Sequence, residues 1–244
     1  MKKLLLLFFA ITLTGLGAAF DHTHSDFTAV LKKRVKNEEV DYHELKASPG
    51  KLGAYLVALS EVTEKEFESW NDDRQKAFLI NLYNAATLKL VIDHYPVKSI
   101  KDIRSPWKQK RVKIFGRAVS LDHVEHEMLR KNYDDPRIHF GVNCASGGCP
   151  ALRGEAFQAA KLDSQLDEQA RKFLADGNKN RIDSGKGILY LSPIFDWFEG
   201  DFVGKSGSVE KFIAPFLSSA GRKSVEAGSL KIKYTDYDWS LNGR

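Results

Sequence analysis

The chain contains two cysteines, and both lie in Asn143-Cys144-Ala145-Ser146-Gly147-Gly148-Cys149-Pro150. Four residues separate them, and a glycine pair lets the backbone turn sharply between them. Two chemistries suit this arrangement. Cys144 and Cys149 could close a disulfide, since so short a glycine-containing loop brings the Cα atoms to the roughly 5–6 Å a bridge requires. Alternatively, one of them is a thiol nucleophile. Cys144 then has the better setting, at the end of an expected strand where free backbone N–H groups of the turn could form an oxyanion hole. Cys149 precedes Pro150, a residue favoured at the first position of a helix, so it too could sit at a helix start.

A thiol nucleophile needs a base held in place by a carboxylate or amide. His123 and His126 fall in Leu121-Asp122-His123-Val124-Glu125-His126, where a spacing of three puts both on one helix face. Asp122, Glu125 and Asn143 are the candidate orienting groups. Alternation along an Ile138–Asn143 strand puts His139 on the face away from Cys144. His126 is therefore the first choice of base and His139 the second. Asn81 and Asn84 are polar residues in an otherwise apolar helix, and a buried, unsatisfied amide costs about 1–3 kcal/mol. The plainer reading gives both backbone partners; the sharper one sets one of them beside a catalytic group.

Other clusters are weaker. Two cysteines and two histidines match zinc in number, but their spacing fits none of the usual paired-ligand patterns, so no metal and no cofactor is expected. His22-Thr23-His24 could bind copper or zinc weakly from a flexible start. Asp196 and Asp201, set among Trp197, Phe198 and Phe202, read as capping or ion-pairing residues on a helix that packs its apolar face.

The elements that must position these groups follow from periodicity. Helical spacing is expected over Phe27 to Val35 and Leu52 to Leu59, with an extended connection around Val40 to Leu45, and Thr63-Glu64-Lys65-Glu66 has the form of a capping box. The strongest helix runs from about Asp72 to His94, with Asp72 or Asp73 able to cap it, and Pro96 stops it. It is apolar nearly all round, as the buried centre of a domain would be. A hairpin is expected at Gly116-Arg117, strands at Ile138–Asn143, Gly187–Leu191 and Leu230–Tyr234, and further helices after Ser120, Asp163, Pro193 and Val209. Helices and strands mix without a βαβ rhythm. This predicts an α+β fold over residues 20–244, helix-rich and in one domain, with a small, mainly antiparallel sheet.

Several longer motifs resemble the family catalogued as domain of unknown function 547. They are Phe78-Leu79-Ile80-Asn81-Leu82-Tyr83-Asn84-Ala85, His94 to Ile100, Ser120 to His126, Asp135 to Pro150, Tyr190 to Trp197, and Tyr234 to Trp239. The resemblance spans about Phe20 to Asn242. It implies that Asn143-Cys144 with Cys149-Pro150, and Asn81 to Asn84, are family signatures. It also implies relatives both among exported bacterial proteins and among plant proteins that carry the domain beside a coiled coil. Members outside oxidising compartments argue against a purely disulfide role for the cysteines. By analogy alone, a distant likeness to papain-type or transglutaminase-type thiol folds follows, in a permuted arrangement.

The N-terminus addresses the compartment. Met1-Lys2-Lys3, the apolar run Leu4 to Leu16, and Gly17-Ala18-Ala19 have the form of a secretory signal peptide, with cleavage expected after Ala19. The mature chain should be exported, with a periplasm favoured, and should carry no transmembrane anchor. The net charge of +5 includes Lys2 and Lys3, so +3 remains without them. The remaining basic residues are scattered, and nucleic acid is not an expected partner. Two functions survive. One is a thiol-dependent hydrolase or acyltransferase using Cys144. The other is a non-catalytic domain that binds a small molecule or an envelope protein, with Cys144–Cys149 as a staple.

Overall fold

The central helix Asp72–His94 organises the fold, and a computed structural model describes residues 19–244 around it. Asn71, rather than Asp72 or Asp73, caps it: its side chain accepts from the Arg74 N–H at 3.0 Å. Fourteen of its residues are buried, which matches its apolar circumference. Helices Ser25–Arg34 and Gly50–Glu61 pack in series against it, and Thr63 caps Glu64–Glu68 by accepting from the Glu66 N–H. The expected extended connection after Val40 is instead a short helix, Tyr42–Ala47, started by the Asp41 side chain accepting from Glu44. The hairpin forms between Val112–Ile114 and Arg117–Val119, with Phe115 and Gly116 at φ 51° and 70° making the turn. Those positive angles explain why the turn needs a glycine.

A second core forms around Phe140, Phe173, Phe195, Phe202 and Phe212. Helices Leu162–Ala175, Glu199–Ser206 and Val209–Ile213 supply most of it. One edge is a three-stranded sheet in which Ile188–Leu191 pairs antiparallel with Arg181–Asp183 and parallel with Lys231–Tyr234. With its antiparallel hairpins, the architecture is the helix-rich α+β arrangement expected, its strands mainly antiparallel. The two cores meet at residues 138–142, where Ile138 and Val142 belong to the first and Phe140 to the second.

That seam corrects the expected strand. Ile138–Gly141 is one helical turn, with the N–H groups of Ile138, His139 and Phe140 donating to the carbonyls of Asp135, Pro136 and Arg137. Arg137 is clamped by Asp135, Asp163 and Asp167 at 2.9, 2.6 and 2.6 Å, which fixes the turn from outside. Gly141 is where this turn meets the central helix and helix Leu162–Ala175. An added Cβ would lie 3.2 Å from Leu166 and 3.3 Å from Ile80. Strand alternation therefore does not govern His139.

After Tyr234 the chain crosses back over the cysteine loop as a strap. Gly147 N–H donates to Ser240 O and Gly148 N–H to Asp238 O, both at 2.8 Å, and Asn242 N–H donates to Ala145 O at 3.1 Å. The strap is itself tied down elsewhere, since Ser99 Oγ donates to Trp239 O at 2.7 Å and Tyr42 Oη to Asn242 Oδ1 at 2.7 Å. Among the described residues no helix is long and apolar enough to cross a membrane. The expected signal peptide falls almost wholly on residues 1–18 and lies outside the described residues.

Candidate active site

The seam, the cysteine loop and the strap enclose a cleft of about 200 Å³. Cys144, Cys149, His126 and His139 all line it, as do Asp122, Glu125, Tyr83 and Tyr237. Its rim is aromatic: Trp107, Trp197 and Trp239 are three of the four tryptophans in the chain.

The cysteines are joined as a disulfide, with Cα atoms 6.3 Å apart. Cys149 is buried and Cys144 partly exposed. The Cys144 N–H donates to Cys149 Sγ at 2.9 Å, and Cys144 Sγ lies 3.0 Å from Ser146 Oγ and 3.3 Å from Tyr237 Oη. Burial pushes the Tyr237 hydroxyl up to about 12, against a smaller downward pull from Ser146. It is therefore a neutral O–H at ordinary pH, able to donate toward sulfur.

His139 is the best-positioned imidazole. It is 2% exposed, stacks on Phe198 with centroids 4.1 Å apart, and its Nε2 donates to Asp201 Oδ2 at 2.7 Å. Asp201 is held in turn by Arg130, whose Nε and Nη2 donate to its two oxygens at 2.7 and 2.9 Å. Burial alone would raise the Asp201 carboxyl, but the hydrogen bonds from His139 and Arg130 outweigh it and hold the group well below the usual carboxylate range. With Nε2 carrying the proton, a neutral His139 presents its lone pair at Nδ1. That atom is buried and has no hydrogen-bond partner among the described residues.

His126 differs. It lies on the π-helical stretch His123–Arg130, and its Nδ1 accepts from Arg130 Nη1 at 3.0 Å. Its ring lone pair is thus engaged by a permanent cation. His123 is not among the residues lining the cleft; the helix after Asp122 turns Asp122, Glu125 and His126 inward instead.

The three asparagines act on backbone. Asn84 Nδ2 donates to Gly141 O at 2.9 Å, and its Oδ1 accepts from the Asn143 N–H at 2.8 Å. Asn143 Nδ2 donates to Pro150 O at 2.8 Å, and its Oδ1 accepts from the Ala145 N–H at 2.9 Å, so it braces both ends of the cysteine loop. Asn81 does the same for a different segment, pairing with both the O and N–H of Phe157 at 2.8 and 2.9 Å. Asn143 is therefore one contact away from the cleft, through Pro150, Asn84 acts on it only through Gly141 and Asn143, and Asn81 serves a loop that does not line it.

Asp201 is the site residue the sequence reading placed elsewhere, as a capping or ion-pairing group. It is an ion-pairing group, but its second partner is His139, 62 positions earlier. No local spacing signals that pairing. His24, expected on a flexible start, is 2% exposed and its Nδ1 is 2.7 Å from Tyr55 Oη. Among the described residues no group of three or more His, Cys, Asp or Glu side chains is arranged to hold a metal ion.

No curated protein and no solved structure matches the chain, so the expected likeness to papain or transglutaminase folds gains no structural relative. The family match covers residues 67–174, which include the central helix, the hairpin, the π-helical stretch and the cysteine loop. Asp201 and the strap, with the motifs Tyr190–Trp197 and Tyr234–Trp239, lie beyond it. Residues 67–174 match the model of the family described as "Protein of unknown function, DUF547".

Proposed function

We propose that the cleft performs thiol-dependent acyl transfer, as a hydrolase or acyltransferase, once the Cys144–Cys149 bond is reduced. The observation that carries this reading is His139: a buried imidazole, fixed by a carboxylate through Nε2, with Nδ1 unpartnered, lining the same cleft as Cys144. A nucleophile, a base and a group orienting the base are the constellation thiol catalysis requires. His139 takes precedence over His126 as base because the His126 lone pair already accepts from Arg130.

A thiol reductant delivers two electrons and two protons, opening the disulfide to two thiols. His139 Nδ1 accepts the Cys144 proton, and the thiolate adds to a substrate carbonyl. The leaving group departs with the proton returned by His139, leaving a thioester. Water or a second nucleophile then releases the acyl group and restores the thiol. Tyr237 Oη, beside Cys144 Sγ, is a donor available to the thiolate or the oxyanion.

A second reading rests on the closed disulfide itself. Cys149 is buried, and both cysteines belong to a loop pinned by the strap, which suits a staple in a non-catalytic binding domain. Export to an oxidising compartment, inferred from residues 1–19, would keep that bond closed in the absence of a reductant. The two readings are separated by assaying a panel of acyl esters and thioesters with oxidised and reduced protein. Turnover that appears on reduction and disappears in Cys144→Ser supports acyl transfer. Equal background rates in all three preparations would overturn it.

A further inference from the structure

We infer that the cleft recognises a cationic ammonium group, primary or methylated, on its ligand. This rests on the cleft being a substrate site, but not on reduction of the cysteines. The rim is an aromatic cluster brought together from three distant parts of the chain. Trp239 lies 5.9 Å from Trp107, 5.8 Å from Trp197 and 4.5 Å from Tyr237, centroid to centroid. Trp197 is 46% exposed, an unusual fraction for so large an apolar ring, and Tyr237 sits 4.8 Å from it. Exposed aromatic faces of this kind attract cations through the ring quadrupole, most strongly when the cation is partly desolvated.

Charge points the same way. In a chain with net charge +5, no lysine or arginine among the described residues lines the cleft, while two carboxylates, Asp122 and Glu125, do. The cations nearest the rings sit outside the lining: Lys101 Nζ is 3.5 Å from the Trp239 centroid, and the Arg130 guanidinium is 4.7 Å from that of Phe198. These contacts already use the same ring chemistry, and they leave Trp107, Trp197 and Tyr237 without a cation over them among the described residues. The Nδ1 of buried His139, without a hydrogen-bond partner among the described residues on a side chain that lines the same cleft, independently points to this cleft as a ligand site. In the acyl-transfer reading the ammonium is a recognition group on the substrate, distinct from the atom that reacts.

The test uses the oxidised protein, in which no thiol is available. Tryptophan fluorescence is titrated with Nα-acetyl-lysine methylamide, its Nε-acetylated neutral counterpart, and N-acetylglucosamine. The ammonium probe is expected to give saturable quenching, with the neutral probe at least about tenfold weaker. Trp197→Ala, at an exposed position, and Glu125→Gln should each weaken the ammonium probe by about tenfold, with thermal melts confirming folding. Equal or tighter binding of the neutral probe or the saccharide would overturn the inference, as would no saturable response to the ammonium probe. Because the thiol plays no part, absence of thiol turnover leaves this result standing, and absence of ammonium binding leaves the thiol result standing.

Discussion

His139 Nε2 and Asp201 Oδ2 lie 2.7 Å apart, joining the helical turn at the seam of the two cores to the helix Glu199–Ser206. The bond fixes the imidazole tautomer and leaves Nδ1 as the only free ring position. Replacing Asp201 by Asn keeps the shape but removes the charge that orients and stabilises an imidazolium. The expected outcome is a fall of about 100-fold or more in acyl-transfer rate with reduced protein. Steady-state kinetics with the ester panel check this. A D201N variant with unchanged kcat would remove Asp201 from the mechanism.

Tyr237 should matter to sulfur and little to folding. Tyr237→Phe deletes the hydroxyl 3.3 Å from Cys144 Sγ and 3.1 Å from Ser146 Oγ while keeping the ring in the rim. The reduced variant should need a higher pH for the same rate of Cys144 alkylation, with a stability change within about 1 kcal/mol. An unaltered alkylation profile would show that the hydroxyl does not reach the thiolate.

Asn84 and Asn81 provide a matched pair. Each satisfies one backbone carbonyl and one backbone N–H, so Asn84→Ala and Asn81→Ala should each cost about 2–4 kcal/mol in urea unfolding. Only Asn84→Ala should also change thiol reactivity, because its partners are Gly141 and Asn143 at the entry to the cysteine loop. Equal effects of both variants on reactivity would mean that the loop is positioned by something else.

The pH dependence of stability should carry the mark of His24. Burial, helped by the neighbouring His22, pushes its imidazole down to about 4, below its ordinary 6.5. The unfolded chain therefore takes up the proton first as pH falls. The stabilisation is fully present above pH 6.5 and is lost progressively between 6.5 and 4, to a total of about 3 kcal/mol. Urea titrations at pH 7.5 and pH 4.5 measure it, and His24→Gln should flatten the difference. A wild-type midpoint that does not move over this range would contradict the assignment.

Much of this architecture is readable locally. The central helix declares itself through its apolar circumference, and Pro96 through its inability to continue it. The Val112–Val119 hairpin follows from its β-branched residues and Gly116. The Ile138–Asn143 segment misleads because Ile138, Phe140 and Val142 alternate as a strand would. Its geometry is set by long-range contacts, with Arg137 clamped by Asp163 and Asp167 and Gly141 wedged against Ile80 and Leu166. The site shows the same division. Cys144, His126 and His139 can be picked out by residue type and do line one cleft. The ranking of the two histidines depends on Arg130 and Asp201, and the aromatic cluster on Trp107, Trp197 and Trp239, pairings that only the folded chain creates.

The most direct test is the pH profile of Cys144 alkylation by iodoacetamide in the fully reduced protein, followed by mass spectrometry, for wild type and His139→Gln. Wild-type Cys144 is expected to react rapidly well below the roughly 8.5 of an ordinary thiol, with Cys149 slower, and His139→Gln to return Cys144 to that ordinary value. A Cys144 that titrates like a free cysteine in both proteins, or a disulfide that re-forms too fast for alkylation at any pH, would contradict this expectation.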